Sequence, residues 1–447
     1  MKPVTLSPGF GDNRPTATLY YGQDVRETLR SLPEASVHTI ITSPPYWGLR
    51  DYGTGDAQIG LEETPEEFVR ALVEVFTEAK RVLRPDGTLW VNLGDSYSDV
   101  GRNSQTRRKD ASGVLRPVEM KECERCGEPF EGGLGRRFCS AFCGGSDNSK
   151  RAGREGGLKH KDLVGIPWRF ALALQAEGWY LRADVIWSKP NPMPESVTDR
   201  PTKAHEYVFL FAHPDSGGRY FYDAEAVKEK PAGYFREGGT APTRDGLTTH
   251  GRGSNTLHQM SPTGRNKRSV WNVNPKPYLG SHFAVWPPDL VEPMIRAGTS
   301  ERGCCPTCGK PWERIVERNN PSKWAADDDD RGWSNTHQTT SNAQSSKSLH
   351  RNGGGVANTA TTVGWQPTCV CGVGASVPCT VLDPFSGSAT TGMVALRNGR
   401  NYIGIDLNPE YLPLAEARLR EDPAPRKVEE DPEREPDLFD LFGEGDR

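Results

Sequence analysis

The sequence contains no apolar run long enough to span a membrane and no N-terminal signal peptide. These two absences predict an intracellular, cytoplasmic protein. Thiols stay reduced in that compartment, so the 10 cysteines are not expected to form disulfides. Hydrophobic residues make up 35% of the 447 residues, beside 48 Gly and 36 Pro. This balance indicates a globular core that carries much loop.

The sequence also lacks a strong excess of charge of either sign, with a net charge of −4. Residues 421–447 hold 11 acidic and 4 basic residues, whereas residues 101–160 hold 13 Lys or Arg and 8 Asp or Glu. An acidic tail beside a mildly basic body permits contact with phosphate groups without requiring it.

A segment with two consecutive prolines, Thr42 to Trp47, follows an apolar run, Val37 to Ile41, that predicts a buried strand. Ser43 precedes Pro44 and Pro45, and Tyr46 follows them. The prolines hold the backbone away from a helix and leave carbonyl groups that no strand ladder uses. Such a segment can accept hydrogen bonds from an amino group while the aromatic ring stacks on a planar one, which are the features of a flipped nucleobase. By itself the segment fits a proline-stiffened turn equally well.

The segment Ser43 to Tyr46 resembles the catalytic motif of the DNA methyltransferases that methylate exocyclic amines with S-adenosylmethionine. The first position of that motif is typically Ser in cytosine-N4 enzymes and Asp or Asn in adenine-N6 enzymes. The resemblance therefore implies that Ser43, Pro44, Pro45 and Tyr46 are catalytic, that double-stranded DNA is the partner, and that N4 of cytosine is the target. Adenine N6 is the nearest alternative.

A second signal lies near the other end of the chain, where a strand at Val381 is expected to stop at Asp383 and a small-residue turn leads into a helix. Small residues allow close approach to a ligand, and a helix N-terminus favours a negative group. A further strand is expected to end at Asp406, whose carboxylate can hold both hydroxyls of a ribose. A turn for another nucleotide would share these features.

This region resembles the cofactor motif of the same methyltransferases. The resemblance implies that these residues bind S-adenosylmethionine: Asp383, Pro384, Phe385, Ser386, Gly387, Ser388, Thr390, Thr391 and Asp406. Ala389 stands where the family commonly has Gly, a difference that matters only if the position needs a positive φ. The resemblance adds Asp24, His282 and Phe283 to the cofactor site, although helix capping explains Asp24 equally well. It also places residues 200–211 in the wall of the base pocket.

Elements alternate as in an α/β protein. Thr64 and Pro65 predict a helix start with Glu67 three residues after the cap. Phe68, Leu72, Val75, Phe76, Ala79 and Val82 then repeat at helical spacing, followed by a predicted turn at 84–87 and a buried strand at 89–93. The catalytic motif precedes the cofactor motif, an order typical of the β-class amino-methyltransferases. We therefore predict a doubly wound, Rossmann-like methyltransferase sheet with circularly permuted motif order and with zinc-binding and disordered insertions.

Eight cysteines have the spacing of two structural Zn²⁺ sites. The first predicted set is Cys123, Cys126, Cys139 and Cys143; the second is Cys305, Cys308, Cys369 and Cys371. Cys304 is an alternative to Cys305 in the second set. Cys379 follows a proline, as the nucleophile of cytosine-C5 methyltransferases does, but it precedes the cofactor strand and is expected to be a core residue.

The predicted organisation has eight segments: the catalytic half of the core (17–98), a basic insertion with the first zinc site (99–160), a core continuation with the base-pocket wall (161–227), a flexible loop or target-recognition region (228–270), a cofactor-side motif (271–303), the second zinc site with a disordered loop (304–372), the cofactor half of the core (373–420) and an acidic tail (421–447). Two rival classes stay open. An RNA or protein methyltransferase typically has its cofactor motif first, and a non-enzymatic zinc-dependent DNA-binding protein would leave both motifs unexplained. A cognate restriction endonuclease is not required, and the sequence does not determine the oligomeric state.

Overall fold

The computed structural model describes residues 2–7, 14–48, 57–98, 119–122, 129–132, 158–229, 264–275, 286–319 and 359–421. Its strands are β1 (Val4–Leu6), β2 (Ala17–Tyr21), β3 (Val37–Thr42), β4 (Leu83–Leu93), β5 (Glu119–Glu122), β6 (Pro129–Gly132), β7 (Tyr180–Ser188), β8 (His205–Ala212), β9 (Val270–Asn272), β10 (Trp312–Asn319), β11 (Thr359–Pro367), β12 (Thr380–Asp383) and β13 (Asn401–Asp406). Its α-helices are α1 (Val25–Ser31), α2 (Pro65–Val82), α3 (Ile166–Ala176), α4 (Pro288–Gly298), α5 (Thr390–Arg397) and α6 (Leu412–Glu421).

A mixed sheet of nine strands forms the centre of the fold, in the order β1-β2-β13-β12-β3-β4-β8-β7-β9. The five strands β2, β13, β12, β3 and β4 run parallel to one another. Strand β8 is antiparallel to both β4 and β7. The predicted α/β class with a largely parallel sheet is confirmed.

The two strands from the end of the chain lie in the middle of this sheet. Strands β12 and β13 pair with each other and fill the space between β2 and β3, which come from the beginning of the chain. The permuted order of the two motifs along the sequence therefore still gives one continuous sheet.

Helix α2 follows its sequence signals closely. The Thr64 hydroxyl accepts from the Glu67 backbone N–H at 3.2 Å, and the Glu67 carboxylate accepts from the Thr64 N–H at 3.2 Å. These reciprocal bonds satisfy two N–H groups that have no partner within the helix. All six apolar residues predicted for its inner face are buried in the core.

The predicted turn at 84–87 is wrong, because these residues belong to β4. The pairing of β3 with β4 shifts between Val37 and Thr39, so the extra residues form an irregularity within a strand that continues to Leu93. Gly87 lies so close to β3 that a Cβ there would be 2.8 Å from the His38 carbonyl oxygen. Pairing with β3 has overridden the local turn propensity.

The chain divides into two compact units: one comprises 1–223, 269–312 and 367–447, and the other comprises 224–268 and 313–366. In the second unit β10 pairs with β11, and the Glu229 carboxylate accepts from Arg265 Nε at 2.9 Å.

The sequence assigned residues 318–363 to a disordered stretch, but residues 359–363 lie in β11 and the strand β10 extends to Asn319. The remainder of that stretch lies outside the described residues, as do 230–263 of the predicted recognition loop and 422–447 of the acidic tail. Of the helices in the described part of the chain, none has the length and apolarity needed to cross a membrane.

Candidate active site

The carboxyl ends of the parallel strands bring both predicted half-sites to one edge of the sheet. Strand β3 ends at Thr42, β12 at Asp383 and β13 at Asp406, and these three strands are adjacent. Ligands of open α/β sheets bind outside this edge. The two half-sites are therefore neighbours in the fold although they are far apart in sequence. Thr42 and Asp383, for example, are separated by 341 residues.

The Tyr46 ring is held against the backbone that follows β4. A Cβ at Gly94 would lie 2.5 Å from Tyr46 Cε2, so no larger residue fits there while the ring stays in place. Pro44 is buried, and Ser43, Pro45 and Tyr46 are half-buried. The predicted catalytic residues therefore form a compact turn with partial access to the sheet edge.

A carboxylate from β8 binds the Tyr46 hydroxyl. That hydroxyl donates to Glu206 Oε2 at 2.6 Å, a length typical of a hydroxyl bound to a carboxylate. The second Glu206 oxygen pairs with Lys189, whose ammonium also lies 4.3 Å from the centroid of the Trp187 ring. Burial and then the negative charge of Glu206 raise the pKa of Tyr46 well above its usual value, and the neighbouring Ser43 hydroxyl offsets this in part. The phenol therefore stays protonated at neutral pH.

The buried side-chain amide of Asn92, on β4, lies beside the hydroxyls of both Ser43 and Tyr46. Asn92 Oδ1 lies 3.3 Å from the Ser43 hydroxyl and 3.2 Å from the Tyr46 hydroxyl. The Asn92 amide nitrogen donates to the Tyr207 carbonyl at 3.1 Å, which fixes the orientation of the amide. Asn92 and Lys189 were not among the residues predicted for the site, and Glu206 was included only as part of the predicted base-pocket wall at 200–211. The one sequence signal for Asn92 is a polar residue within the apolar run Leu89–Leu93.

Asp383 connects strand β3, which leads into the predicted catalytic residues 43–46 (the catalytic turn), to the small-residue segment 384–391 (the cofactor turn). Its Oδ1 accepts from the Thr42 hydroxyl at 2.6 Å and from the Phe385 N–H at 3.1 Å, and its Oδ2 accepts from the Thr391 hydroxyl at 2.6 Å. Burial raises the pKa of Asp383 to about 6. Because these partners all belong to the protein, the carboxylate organises the turn. Sequence reasoning did not identify Thr42 as part of this link.

The hydroxyl groups of Tyr21 and Tyr402 form hydrogen bonds that fix the small-residue turn. Ser386 Oγ lies 2.8 Å from the hydroxyls of both Tyr21 and Tyr402, and the Tyr21 hydroxyl donates to the Gly387 carbonyl at 2.7 Å. Gly387 has a φ of +51°, which glycine adopts without strain. Ala389 has a φ of +58°, so the position occupied by Gly in the resembling family does need the left-handed conformation.

The N-terminus of α5 is fixed in the same way. Arg418 Nη1 donates to the Ser388 and Thr390 hydroxyls, each at 2.9 Å.

Pro384 is buried, and Phe385 is the residue of the 381–391 segment that is not fully buried. Of the side chains in this turn, Phe385 therefore has the access needed to pack on a ligand.

Asp406 presents a half-buried carboxylate at the end of β13. Its Oδ2 accepts from the Gly387 N–H at 2.7 Å and its Oδ1 from the Asn408 N–H at 2.9 Å. A carboxylate can accept about four hydrogen bonds, so it keeps capacity for donors outside the protein. Burial, with a smaller contribution from Asp383, raises the pKa of Asp406 to about 6.

Asp24 caps helix α1, as the capping interpretation requires. Its Oδ1 accepts from the Arg26 N–H at 2.7 Å, and its Oδ2 pairs with the Arg26 guanidinium at 2.7 Å. A cofactor role for Asp24 stays a prediction. His282 and Phe283 lie outside the described residues, as do Cys123, Cys126, Cys139 and Cys143.

Four cysteines meet at the opposite edge of the sheet. The sulfur atoms of Cys305, Cys308, Cys369 and Cys371 all lie within 4.8 Å of one another. The carbonyl of Cys308 accepts from Arg84 Nη1 at 2.8 Å, and the neighbouring Gly309 carbonyl lies 2.9 Å from His38 Nε2. Since Arg84 and His38 stand near the amino ends of β4 and β3, this cluster lies away from the catalytic turn.

Cys304 belongs to a different group. Its sulfur lies near the Val377 carbonyl at 3.5 Å and close to His38 and Cys379. Both nitrogens of His38 are already engaged, Nε2 with Gly309 and Nδ1 with the Thr380 N–H at 3.0 Å. The structure therefore places Cys305, and not Cys304, with the other three cysteines. Cys379 is fully buried, as expected for a core residue.

A parallel sheet with a carboxylate and a small-residue turn at its carboxyl edge defines an α/β protein of the nucleotide- or nucleoside-binding class. The sequence of the chain narrows the class further. A family model described as DNA methylase matches residues 37–305 and 379–417, which include the catalytic turn and the cofactor turn. The chain belongs to this DNA methylase family.

Two relatives of similar sequence agree with this assignment. The type II methyltransferase M.Cfr9I of Citrobacter freundii is 36% identical over 90% of this chain and 88% of its own length. The type II methyltransferase M.SmaI of Serratia marcescens is 34% identical over 89% of this chain and 88% of its own length. Among solved structures, the PvuII DNA methyltransferase (cytosine-N4-specific) aligns with a TM-score of 0.43 and 15% identity, over 92% of this chain and 88% of that chain.

Proposed function

We propose that the protein transfers a methyl group from S-adenosylmethionine to the exocyclic amine of a flipped base in double-stranded DNA, with N4 of cytosine as the target. One observation carries the proposal. The catalytic turn and the cofactor turn, at opposite ends of the chain, meet at one sheet edge and are joined through the Thr42–Asp383–Thr391 hydrogen bonds. The similarity to M.Cfr9I and M.SmaI, both type II methyltransferases, supports a role in a restriction-modification system.

The residues at the cofactor turn fit S-adenosylmethionine. Asp406 has a half-buried carboxylate with spare acceptor capacity beside Gly387, suited to a ribose diol. Phe385 has the exposure to pack on an adenine ring, and the N-terminus of α5 favours a carboxylate. When bound, the cofactor supplies an electrophilic methyl group on a sulfonium.

The catalytic turn would orient the amine. The Ser43 hydroxyl and the Pro44 carbonyl accept hydrogen bonds from the amino group and direct its lone pair at the methyl carbon. Tyr46 stacks on the extruded base and offsets an unpairing cost of a few kcal/mol. Alignment of two reactants in a partly enclosed site accounts for most of such a rate increase, so no strong base is needed.

The choice of cytosine rests on Ser43 alone. Adenine N6 presents a similar amine to the same turn and is the alternative target. RNA or protein substrates are further outcomes of the test, because the turn by itself does not distinguish the molecule that carries the amine.

The test offers the purified protein S-adenosylmethionine labelled in the methyl group, together with unmethylated genomic DNA, RNA or bulk protein as acceptors. We expect label in DNA only. Ser43→Ala should retain cofactor binding and lose most of the transfer, on the order of 10²-fold. Ser36→Ala, which changes a serine before the other end of β3, should behave as wild type. Label in RNA or protein, or full activity of Ser43→Ala, would contradict the proposal.

We also propose that Cys305, Cys308, Cys369 and Cys371 bind one structural Zn²⁺ ion. Zn–S bonds of about 2.3 Å in a tetrahedron place sulfur atoms about 3.8 Å apart, which is compatible with the observed cluster. Residues 306–378 lie outside the family match, so the site belongs to an insertion that carries three of the four ligands.

Metal analysis of the full chain tests the zinc proposal. With the first predicted set, Cys123, Cys126, Cys139 and Cys143, also occupied, wild type should hold about two Zn²⁺ per chain. Cys308→Ser should lose about one equivalent, whereas the control Cys379→Ser should lose none. Equal zinc content in wild type and Cys308→Ser would contradict the site.

A further inference from the structure

Two hydroxyl protons compete for acceptors in the catalytic turn. The Tyr46 hydroxyl has a single proton but lies near two acceptors, Glu206 Oε2 at 2.6 Å and Asn92 Oδ1 at 3.2 Å. The shorter bond ends on a charged oxygen, and charge-assisted bonds are about twice as strong as neutral ones. The Tyr46 proton therefore points to Glu206.

That assignment leaves Asn92 Oδ1 for the proton of Ser43, at 3.3 Å. The amide cannot reverse without loss, because its nitrogen donates to the Tyr207 carbonyl. Lys189 pairs with the other Glu206 oxygen and keeps that carboxylate directed into the site. Glu206 and Lys189 are 14% and 20% exposed, so solvent screens this pair only weakly.

A serine hydroxyl can act as donor or acceptor, and its partners decide which. With its proton bound by Asn92, the Ser43 oxygen has only lone pairs left for a ligand. A donor would repel the N–H groups of an amine, whereas an oxygen with free lone pairs accepts from them.

We propose that Asn92 and Glu206 are positioning residues that draw the protons of Ser43 and Tyr46 into the protein, so that the Ser43 oxygen meets the target amine as an acceptor. This inference rests on the proposed function of Ser43. Glu206 acts at a distance from the amine: it removes the Tyr46 proton from competition for Asn92.

A double-mutant cycle between Ser43→Ala and Asn92→Leu tests the first half of the proposal. With labelled S-adenosylmethionine and unmethylated genomic DNA, Asn92→Leu should lower kcat about tenfold in the wild-type background, the value of one hydrogen bond. In the Ser43→Ala background it should cost less than about twofold, since the proton that it binds is gone. Equal losses in both backgrounds would show a purely structural role and would overturn the proposal.

A second pair of variants avoids the buried Asn92. In Glu206→Gln the Tyr46 proton loses its charged acceptor and competes for Asn92, and kcat should fall about fivefold with little change in KM for DNA. Tyr46→Phe removes the competing proton and keeps the ring, so the double variant Glu206→Gln/Tyr46→Phe should recover to within about twofold of Tyr46→Phe. A double variant no better than Glu206→Gln would overturn the proposal.

Cofactor affinity and thermal melting of each variant serve as folding controls. A wild-type protein that transfers no label to DNA overturns the proposed function and this inference with it. An active wild-type protein whose variants show no coupling and no rescue overturns the inference alone.

Discussion

Two buried carboxylates with similar pKa values play different parts at the sheet edge. Burial raises the pKa of Asp383 and of Asp406 to about 6 in each case. Asp383 accepts from three groups of the protein, whereas Asp406 accepts from two backbone N–H groups and is half-buried. Position, and not pKa, therefore separates the residue that holds the turn from the residue that faces the ligand.

The proposed cofactor role of Asp406 predicts that cofactor binding depends on pH. Its pKa lies near 6, so the carboxylate is ionised above that pH and protonated below it. Hydrogen bonds to a charged acceptor contribute about 1.5–3 kcal/mol. We expect affinity for S-adenosylmethionine, measured by titration calorimetry, to fall by up to about tenfold as the pH drops from 7.5 to about 5.

The variant Asp406→Asn should bind the cofactor weakly at pH 7.5 and with a flatter pH profile. The control Glu78→Gln, which changes a surface carboxylate of α2 paired with Arg30, should keep the wild-type slope. A wild-type affinity that does not change between these pH values would contradict the role of Asp406.

Ala389 is strained by its positive φ of 58°. An L-residue in this region costs about 1–2 kcal/mol, and loss of its buried methyl group would cost about 0.8 kcal/mol. Ala389→Gly should therefore raise the free energy of unfolding by about 0.5 kcal/mol in urea titrations. The matched change Ala395→Gly inside α5 should lower it by about 1 kcal/mol or more. Equal losses in both variants would show that Ala389 is not strained.

At the scale of elements, the strands carry the site because their ends are tied together. Thr42 at the end of β3 donates to Asp383 at the end of β12, and Thr391 in α5 donates to the same carboxylate. All three side chains are buried. The link therefore couples the position of the catalytic turn to that of the cofactor turn.

Removal of this link should destabilise the fold. Thr42→Val keeps the shape of the side chain but leaves a buried carboxylate without one donor, at a cost of about 1.5–3 kcal/mol. We expect a lower unfolding free energy of that size and weaker cofactor binding. The control Thr77→Val, on the exposed face of α2, should change stability by less than about 0.5 kcal/mol. A Thr42→Val protein as stable as the control would contradict the link.

The sequence predicted the elements where local signals and packing agree. Helix α2 begins at Pro65 because its cap, its proline and its apolar period all favour the same helix. The turn prediction for Arg84–Gly87 was wrong because turn residues are a local signal, whereas pairing with β3 depends on a partner elsewhere in the chain. Asn92 was missed for the same reason, and so was the contact of Glu206 with Tyr46, since both depend on contacts made only after folding.

At the scale of the molecule, the two signals at residues 43 and 383 predicted a single sheet because their order matched a permuted family, and the structure confirms it. The sequence also predicted the cysteine set, but not that the cluster would lie at the amino edge, bound to Arg84 through the Cys308 carbonyl. That placement separates the proposed metal from the proposed chemistry.

Metal removal should therefore affect stability more than cofactor binding. Structural zinc contributes directly to folding free energy, so a strong chelator should lower the melting temperature of the wild-type protein. Cofactor affinity below the melting transition should change less than about twofold, since Cys308 contacts the end of β4 opposite the active site. The chelator should lower the melting temperature of Cys308→Ser by less than that of wild type, because one of the two proposed zinc ions is already absent from the variant. Unchanged melting of wild type in chelator would contradict a structural role.

Identification of the methylated nucleoside tests the central claim most directly. DNA treated with the protein and labelled S-adenosylmethionine is digested to nucleosides and analysed by mass spectrometry. We predict label in N4-methylcytosine, lost in Ser43→Ala and retained in Ser36→Ala. Label in N6-methyladenine would keep the amine chemistry but contradict the choice of base from Ser43. Label in 5-methylcytosine would contradict the account of the catalytic turn itself.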